Sequence, residues 1–212
     1  MKMDMFWKKQ KIFCIGRNKT GTTSLAKALK LLGYRVGKQA KAERLLDDWA
    51  RRDFRRVVQY CRGADAFQDV PFSLDYTYQV LDHAYPGSKF ILSIRDDPSQ
   101  WYDSLIRSQT RLVCKGRIPS ADDLKQLPYC DTGWLWRQHQ MVYGVDEHTL
   151  YDPEIYKQHY QDHNRRILEY FRHRPEDLLV LNLSVPDAMR KLCEFLGHRV
   201  PDLAMPHENR SV

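Results

Sequence analysis

Residues 16–24, which read GRNKTGTTS, contain the glycine spacing of a phosphate-binding loop. Gly16 and Gly21 are placed as in the Walker A pattern G-x-x-x-x-G-K-[ST], but Thr22 stands where that pattern has its lysine. The lysine of this loop, Lys19, comes before Gly21 instead. Small residues at the start of a helix let backbone amides converge on an anion, and Lys19 adds a full charge. The stretch therefore predicts an anion site, although Thr and Ser are also ordinary helix N-caps.

An arginine and a serine farther along the chain could bind a second anionic group. The run KFILSIRD at 89–96 predicts the clearest strand, and Arg95 lies near its end. Ser104 follows nine positions later, in a helix predicted to begin near Pro98. A guanidinium offers a planar fork to phosphate oxygens, and a serine hydroxyl adds one donor. The alternative role for Arg95 is a surface salt bridge with one of the two aspartates that follow it.

These residues need elements that bring them together, and the sequence alternates strand and helix patterns. Apolar runs predict strands at 11–16, 64–71, 89–96 and 177–183, and periodicity predicts helices at 22–33, 73–84, Pro98 through Leu112, 153–172 and 186–196, with an amphipathic segment at 40–62 and an irregular stretch at 114–150. This alternation predicts an α/β fold, a three-layer sandwich with a central parallel sheet of about four to five strands. Ligands bind at the carboxyl ends of such strands, where Lys19 and Arg95 both fall. The whole chain, 1–212, is expected to form a single domain.

The composition favours an anionic ligand and a reducing compartment. Lys and Arg number 34 against 27 Asp and Glu, which gives a net charge of +7. The basic residues are dispersed and no aromatic RNA-binding motif occurs, so we expect no nucleic-acid partner. The five cysteines form no C-x-x-C pair and predict reduced thiols in the cytoplasm. The N-terminal MKMDMFWKKQ lacks the apolar core of a signal peptide, and no apolar run is long enough to predict a membrane span.

The loop and the arginine–serine pair together resemble the donor site of sulfotransferases that use 3′-phosphoadenosine 5′-phosphosulfate. In that family a lysine is followed by Thr/Ser-Gly-Thr-Thr/Ser, which the run from Lys19 to Ser24 matches in order. A strand-end arginine and a serine in the next helix bind the 3′-phosphate there, and Arg95 and Ser104 match them with one extra position between. Residues 169–211, with LLVLNL, a helix ending in FLG and then PHEN, resemble a soluble branch of the family. The resemblance implies a P-loop nucleotide-binding fold.

The same resemblance implies transfer of a sulfuryl group to a hydroxyl or amine acceptor, which leaves 3′,5′-adenosine bisphosphate and uses no metal. Lys19 would neutralise the leaving phosphate oxygen, while Thr22 and Thr23 would hold the 5′-phosphate. The implied donor-binding residues are Arg17, Asn18, Lys19, Thr20, Gly21, Thr22, Thr23, Ser24, Arg95 and Ser104. The implied partners are this nucleotide donor and an acceptor that the sequence does not name.

A catalytic base must take the acceptor's proton, and Asp69 is the first candidate. The stretch AFQDVP at 66–71 corresponds to the family's His-Leu-Pro-like stretch, with Asp69 in place of the histidine. An aspartate has a pKa of about 3.9, so burial or an anionic neighbour must raise it. The alternative is that Asp69 caps a turn or the helix from Ser73. His163 is the next candidate base; it shares a helical face with His159, but no third metal ligand accompanies the two.

Two other functions share these features. A P-loop small-molecule kinase would have the same sheet and loop, but it needs a lysine after Gly21 and a strand-end aspartate for magnesium. A non-catalytic nucleotide-binding module would use the same cations without chemistry. In either enzyme the acceptor pocket is expected from the variable, aromatic-rich segments at 38–62 and 106–150.

Overall fold

The computed structural model describes residues 10–113, 116–200 and 204–206, and its centre is a sheet of four parallel strands. In chain order these are β1 (Ile12–Cys14), β2 (Ala66–Phe67), β3 (Lys89–Ile94) and β4 (Leu178–Asn182). Their order across the sheet is β2–β1–β3–β4. Phe13 of β1 is in register with Phe67 of β2 and Phe90 of β3, so three large rings meet on one face. The predicted α/β class with a four-stranded parallel sheet is confirmed.

Helices cover both faces of this sheet. They are α1 (Thr22–Leu31), α2 (Gln39–Ala42), α3 (Leu46–Ala50), α4 (Arg55–Tyr60), α5 (Thr77–Ala84), α6 (Pro98–Val113), α7 (Ala121–Gln126), α8 (Trp134–Tyr143), α9 (Pro153–Tyr170) and α10 (Ala188–Leu196), with 3₁₀ turns at Glu43–Leu45, Cys61–Gly63 and Pro175–Asp177. Because side chains alternate along a strand, Ile12 and Cys14 pack with α1 and α10 on one face. Phe13 and Phe90 pack with α9 on the other face.

A further apolar cluster, among α6, α8 and α9, ties the helices to the loop after β1. Trp101 of α6 stacks on Tyr160 of α9 with ring centroids 4.7 Å apart, and Tyr143 of α8 stacks on Tyr156 of α9 at 4.3 Å. Buried tryptophan needs a partner for its N–H, and Trp101 Nε1 donates to the carbonyl oxygen of Asn18 at 2.9 Å. The cluster therefore fixes α6 against the predicted phosphate loop.

The segments between β1 and α5 are more broken than the sequence predicts. The amphipathic stretch at 40–62 is divided into short helices, and Arg52, with φ 59, lies in the left-handed region between α3 and α4. The strand predicted at 64–71 shrinks to the two residues of β2. The helix predicted at 73–84 begins only after Tyr76, whose φ is 65. A left-handed residue interrupts helical hydrogen bonding, which periodicity alone does not reveal.

The stretch at 114–150, predicted to be irregular, contains α7 and α8. Ser120 begins α7 with a capping box: its Oγ accepts from Asp123 N, and the Asp123 carboxylate accepts from Ser120 N. Gly133 and Gly144, with φ 77 and 69, bound α8. Short helices set by such caps carry little periodic signal, which explains why periodicity does not predict α7 and α8.

Two other predictions concern regions that the structure covers in part. Of the PHEN stretch at 206–209, which carries part of the family resemblance, only Pro206 lies within the described residues. Across the described ranges, no helix is both long and apolar enough to cross a membrane.

Candidate active site

A pocket of about 240 Å³ opens beside the loop that joins β1 to α1. It lies at the carboxyl ends of the central strands, where parallel sheets bind their ligands. Its walls come from that loop, the start of α1, the turn after β2, the end of β3 and one face of α6. The lining residues are Lys19, Gly21, Thr22, Thr23, Ser24, Asp69, Arg95, Ser104, Arg107, Ser108 and Arg111. Four cations and a single carboxylate in this lining favour an anionic ligand.

The first turn of α1 presents its backbone amides to this pocket. The N-cap is Gly21, in the left-handed conformation with φ 94, and no side chain of the described residues caps the helix. No acidic residue occupies the first turn. By contrast, Ser120 caps α7 and Asp152 caps α9. Because the first amides of a helix lack partners within it and carry positive potential, this end of α1 can accept an anion.

Gly16 and Thr20 hold the loop against β3. A Cβ atom on Gly16 would lie 2.3 Å from the backbone oxygen of Ser93, closer than real side chains approach. The buried Thr20 hydroxyl donates to the carbonyl oxygen of Arg17 at 2.6 Å and accepts from the Ser93 hydroxyl, also at 2.6 Å. The path of the loop is therefore set by close packing on the strand, and Thr20 faces that strand.

Arg95 connects the end of β3 to the same loop. Its Nε donates to the carbonyl oxygen of Lys19 at 2.7 Å, and its backbone N donates to Tyr160 Oη at 3.0 Å. Among the described residues, its two terminal guanidinium nitrogens have no hydrogen-bond or salt-bridge partner, so the predicted alternative of a salt bridge with the following aspartates is not observed. Burial lowers the pKa of Arg95, which still stays protonated near neutral pH. Arg95 is one of the residues that line the pocket.

One face of α6 forms another wall. Ser104, Arg107, Ser108 and Arg111 line the pocket together, at positions i, i+3, i+4 and i+7 that share a helical face. The sequence predicts only Ser104 among them. The spacing of the other three was visible in the sequence, but it points to the pocket only once the orientation of α6 is known.

Asp69 lies in the turn after β2 and contacts the start of α1. Its backbone is left-handed, with φ 62. Thr22 Oγ1 donates to Asp69 Oδ2 at 3.3 Å, and Val70 N donates to Asp69 Oδ1 at 3.0 Å. Burial raises the pKa of Asp69, opposed by the charge of Lys19 and by these two hydrogen bonds. A raised pKa is what an aspartate needs to accept a proton efficiently.

The segments expected to form the acceptor pocket also reach Asp69. Its carboxylate interacts electrostatically with Glu43, Tyr129 and Tyr143. Glu43 is only 8 % exposed and accepts hydrogen bonds from Tyr129 Oη at 3.1 Å and Cys130 Sγ at 3.4 Å. Burial and then Asp69 raise the pKa of Glu43. Residues from 38–62 and 106–150 therefore meet beside the candidate base.

Arg17 and His163 lie outside the pocket, in a group that we call the buried ion cluster. Its members are Arg17, Asp75, His159 and His163, with Arg166 at its solvent-exposed edge. Arg17 is 1 % exposed and donates to Asp75 Oδ1 at 3.0 Å and to His159 Nδ1 at 3.0 Å. Arg166 donates to the second oxygen of Asp75 at 2.8 Å. The cluster lies beneath the loop, so Arg17 supports the loop rather than lining the pocket.

The position of His163 argues against the catalytic role that the sequence suggests for it. Nδ1 lies 2.9 Å from Asp75 Oδ1, and Nε2 lies 2.8 Å from the carbonyl oxygen of Ile15. Burial and then the charge of Arg17 lower the pKa of His163 to about 4. The neutral ring has one N–H and donates to only one of these oxygens, but both nitrogens are buried against the protein, and His163 is not among the residues that line the pocket.

The structure thus divides the predicted donor-binding residues into two groups. Those that line the pocket are Lys19, Gly21, Thr22, Thr23, Ser24, Arg95 and Ser104. Arg17, Asn18 and Thr20 instead contact the buried ion cluster, Trp101 and Ser93, respectively. Over the ranges that the structure describes, no three His, Cys, Asp or Glu side chains are grouped so as to hold a metal ion.

Residues 11–212 match the sulfotransferase domain family, and the chain belongs to that family. No curated protein matches the sequence. The family assignment confirms the resemblance drawn from the loop and from the C-terminal third, and it indicates a transferase that moves sulfuryl groups.

Proposed function

We propose that this protein transfers the sulfuryl group of 3′-phosphoadenosine 5′-phosphosulfate to a hydroxyl or amine acceptor. The observation that carries the proposal is the convergence of the uncapped start of α1, Lys19 and Arg95 on one pocket. The helix start and Lys19 fit the phosphosulfate end of such a donor, and Arg95 with Ser104 fits its second phosphate. Membership of the sulfotransferase domain family supports the choice of reaction.

Each group has a separate task in the proposed reaction. The acceptor atom forms a bond to sulfur while the bond between sulfur and the phosphate oxygen breaks, and the electron pair leaves with that oxygen. Lys19 stabilises the charge that develops on the leaving oxygen, and the first amides of α1 hold the phosphate. The acceptor's proton passes to Asp69. The leaving group is 3′,5′-adenosine bisphosphate, and the proposal requires no metal ion.

Asp69 is the proposed base because it is the carboxylate of the pocket and burial raises its pKa. The hydrogen bonds from Thr22 and Val70 orient it at the start of α1. Arg17, Asn18 and His163 are proposed to position the loop and not to touch the reacting atoms. The proposed base therefore lies beside the residues proposed to hold the donor, where an acceptor bound next to the sulfuryl group could give up its proton.

A small-molecule kinase is the second candidate, and one observation favours it. Thr22 and Asp69 are hydrogen bonded, and P-loop kinases hold magnesium with a loop hydroxyl and a nearby aspartate. Against it, Thr22 stands where the kinase lysine would contact the terminal phosphates. The position of Lys19 before Gly21 therefore favours the sulfotransferase proposal.

A thermal-shift measurement with two ligands separates these candidates. A ligand at 100 times its Kd stabilises the folded state by about 2.7 kcal/mol. We expect stabilisation by 3′,5′-adenosine bisphosphate and none by ATP with magnesium. The reverse result would favour the kinase. Stabilisation without transfer of labelled sulfate to any alcohol, phenol, sugar, lipid or amine would favour a non-catalytic nucleotide-binding module.

We also propose that the chain acts as a single domain in the cytoplasm. The scattered cysteine pattern supports a reducing compartment, and Cys14, Cys61, Cys130 and Cys193 are unpaired within the described residues. Imaging of a tagged full chain tests the location, and a single cooperative unfolding transition tests the domain count.

A further inference from the structure

The turn at 69–75, which we call the Asp69 turn, begins with a backbone conformation that needs support. Asp69 has φ 62, and a left-handed backbone is uncommon for any residue except glycine. Such residues persist where the surrounding structure holds them in place. Within the turn, Ser73 N donates to the backbone oxygen of Asp69 at 2.9 Å. The position of the Asp69 carboxylate therefore depends on what holds the rest of this turn.

Arg17 joins the Asp69 turn to the loop after β1. Its Nη1 donates to the backbone oxygen of Ser73 at 2.9 Å, and its Nη2 donates to Asp75 Oδ1 at 3.0 Å. On the loop side, the backbone oxygen of Arg17 accepts from Thr20 Oγ1 at 2.6 Å. A guanidinium carries its N–H groups in fixed directions, so it can bond to two separate acceptors of one turn. Two successive hydrogen bonds, from Arg17 to Ser73 and from Ser73 to Asp69, thus connect the loop to the peptide of the proposed base.

Gln39, on α2, contacts the Asp69 turn from another element. Its Nε2 donates to the backbone oxygen of Val70 at 3.1 Å, and Val70 N donates in turn to Asp69 Oδ1 at 3.0 Å. Its Oε1 lies 3.5 Å from Gln68 Nε2, so the amide of Gln39 contacts both chain neighbours of Asp69. Because α2 belongs to a segment expected to form the acceptor pocket, the turn is held from the loop after β1 by Arg17 and from the acceptor side by Gln39.

We propose that Arg17 and Gln39 are positioning residues that hold the Asp69 carboxylate where it can take the acceptor's proton, and this inference rests on the proposed function. Neither is among the residues that line the pocket, so each acts through Asp69. A general base must lie within hydrogen-bond reach of the proton that it removes. A displacement of about 1 Å can lower the rate about 100-fold. Loss of either side chain should therefore lower kcat and leave donor affinity unchanged.

Arg17→Lys tests the connection to the loop after β1. Lysine keeps the charge beside Asp75 but has one terminal nitrogen in place of the fork. Steady-state transfer to an alcohol acceptor should show kcat about 10- to 100-fold lower. Calorimetry should show a Kd for 3′,5′-adenosine bisphosphate close to wild type. The matched control is Arg35→Lys, because Arg35 also bonds through its fork to an aspartate, Asp65, which lies just before β2. This control should have a kcat close to wild type.

Gln39→Met tests the connection to α2 and carries the test where Arg17→Lys does not fold. Methionine keeps the length of the side chain and removes its amide, and position 39 is partly exposed, so folding should be retained. We expect kcat to fall about 3- to 10-fold, as for the loss of one hydrogen bond. The Kd of the bisphosphate should again stay close to wild type.

Combination with Asp69→Asn distinguishes a positioning role from general support of the fold. Residues that act through one group have non-additive effects. In the Asp69→Asn background, each substitution should therefore change kcat by less than about twofold. An acceptor that is already ionised gives a second readout, since it needs no base, and both single variants should keep most of their activity on it.

The outcomes separate this inference from the proposed function. A wild-type chain that transfers no sulfate contradicts both. An Asp69→Asn enzyme with wild-type kcat on an alcohol removes the base, and with it this inference, while sulfate transfer stands. If Asp69 is the base, a normal kcat in either folded single variant overturns the role of that residue. A loss that persists undiminished in the Asp69→Asn background, or a bisphosphate Kd that rises as much as kcat falls, overturns the positioning role as well.

Discussion

The two sides of the loop after β1 carry like charges in opposite environments. On the pocket side Lys19 lines an open cavity, while on the other side Arg17 is 1 % exposed and paired with Asp75. The carboxylates of Asp69, on the pocket side, and Asp75, on the buried side, differ in the same way. Burial raises the pKa of Asp69; it would also raise that of Asp75, but His163 and Arg17 outweigh it and hold that pKa well below the usual range. Lys19, on the pocket side, has no salt bridge within the described residues, whereas Arg17, which supports the loop, is paired with Asp75.

Lys19→Ala gives the largest expected effect on the pocket side. Loss of a charge that acts on the leaving oxygen should lower kcat about 10²- to 10⁴-fold. The melting temperature should hardly change, because Lys19 forms no ion pair within the described residues. Steady-state sulfate transfer and a thermal melt measure the two effects.

The control for this substitution is Lys30→Ala, an exposed lysine in the last turn of the same helix. It should leave kcat and the melting temperature close to wild type. A Lys19→Ala enzyme with near-normal kcat would remove Lys19 from the proposed mechanism.

Asp69→Asn should lower kcat by a similar factor, about 10²- to 10⁴-fold, because it removes the proton acceptor and keeps the shape. The wild-type kcat should fall as the pH falls through the raised pKa of Asp69, which lies above the usual 3.8. A raised carboxyl pKa makes ionisation unfavourable for folding, so stability declines as pH rises through it. The Asn variant should therefore be no less stable than wild type at neutral pH.

An acceptor that is already ionised sharpens this test, because it has no proton to give. The Asn variant should lose much less activity on such an acceptor than on an alcohol. If it stays active on an un-ionised alcohol, Asp69 is a turn residue and Glu43, its electrostatic neighbour, becomes the next base to test.

Asp75→Asn is the matching substitution on the buried side, and its main effect should be on stability. Removing Asp75 leaves the buried Arg17 without its counter-ion, whereas Arg166 is exposed to water, and it should cost about 3 kcal/mol of unfolding free energy. The lowered pKa of Asp75 means that this stabilisation is present above its usual value of 3.8 and disappears as the pH falls through the folded-state pKa. Urea denaturation at several pH values measures the difference.

Asp53→Asn provides a comparison for Asp75, since Asp53 pairs with the exposed Arg55. Exposed ion pairs contribute little, so this variant should unfold close to wild type. If the two substitutions have equal effects at neutral pH, the buried ion cluster does not stabilise the loop as described.

Arg95→Ala should weaken binding of 3′,5′-adenosine bisphosphate by about 2–4 kcal/mol, the range for a lost partner of a buried charge. Its hydrogen bond to the Lys19 carbonyl also supports the loop, so a smaller loss is expected for 5′-AMP. Calorimetry with both ligands separates the two contributions. Equal losses would mean that Arg95 acts only on the loop.

The sequence predicts the residues of the pocket far better than the contacts of the buried ion cluster. The reason is that the pocket residues follow from local patterns, whereas the cluster joins residues that are far apart along the chain. Lys19 lies in the glycine-spaced loop after one apolar strand run and Arg95 directly follows another, so local patterns are enough to place both at the carboxyl edge of a parallel sheet. Arg17 contacts Asp75 and His159, which are 58 and 142 positions away, and no local pattern reveals those contacts. The loop motif alone therefore assigned Arg17 to the donor.

Contacts between distant positions also explain the other differences between the predicted and the observed site residues. Arg107 and Arg111 have the spacing of a helical face, but which face meets the pocket depends on the stacking of Trp101 against Tyr160. His163 shares a helical face with His159 in the sequence, yet its two nitrogens lie against Asp75 and the carbonyl oxygen of Ile15, contacts that no local pattern reveals. The donor, the base and the individual site residues remain predictions.

Transfer of labelled sulfate from 3′-phosphoadenosine 5′-phosphosulfate to a panel of alcohols, phenols, sugars, lipids and amines tests the central claim most directly. The wild type and Lys30→Ala should label at least one acceptor at the same rate. Lys19→Ala, folded to the same melting temperature, should be at least about 100-fold slower. Equal rates for Lys19→Ala and wild type, or stabilisation of the wild type by ATP with magnesium in place of 3′,5′-adenosine bisphosphate, would contradict the account.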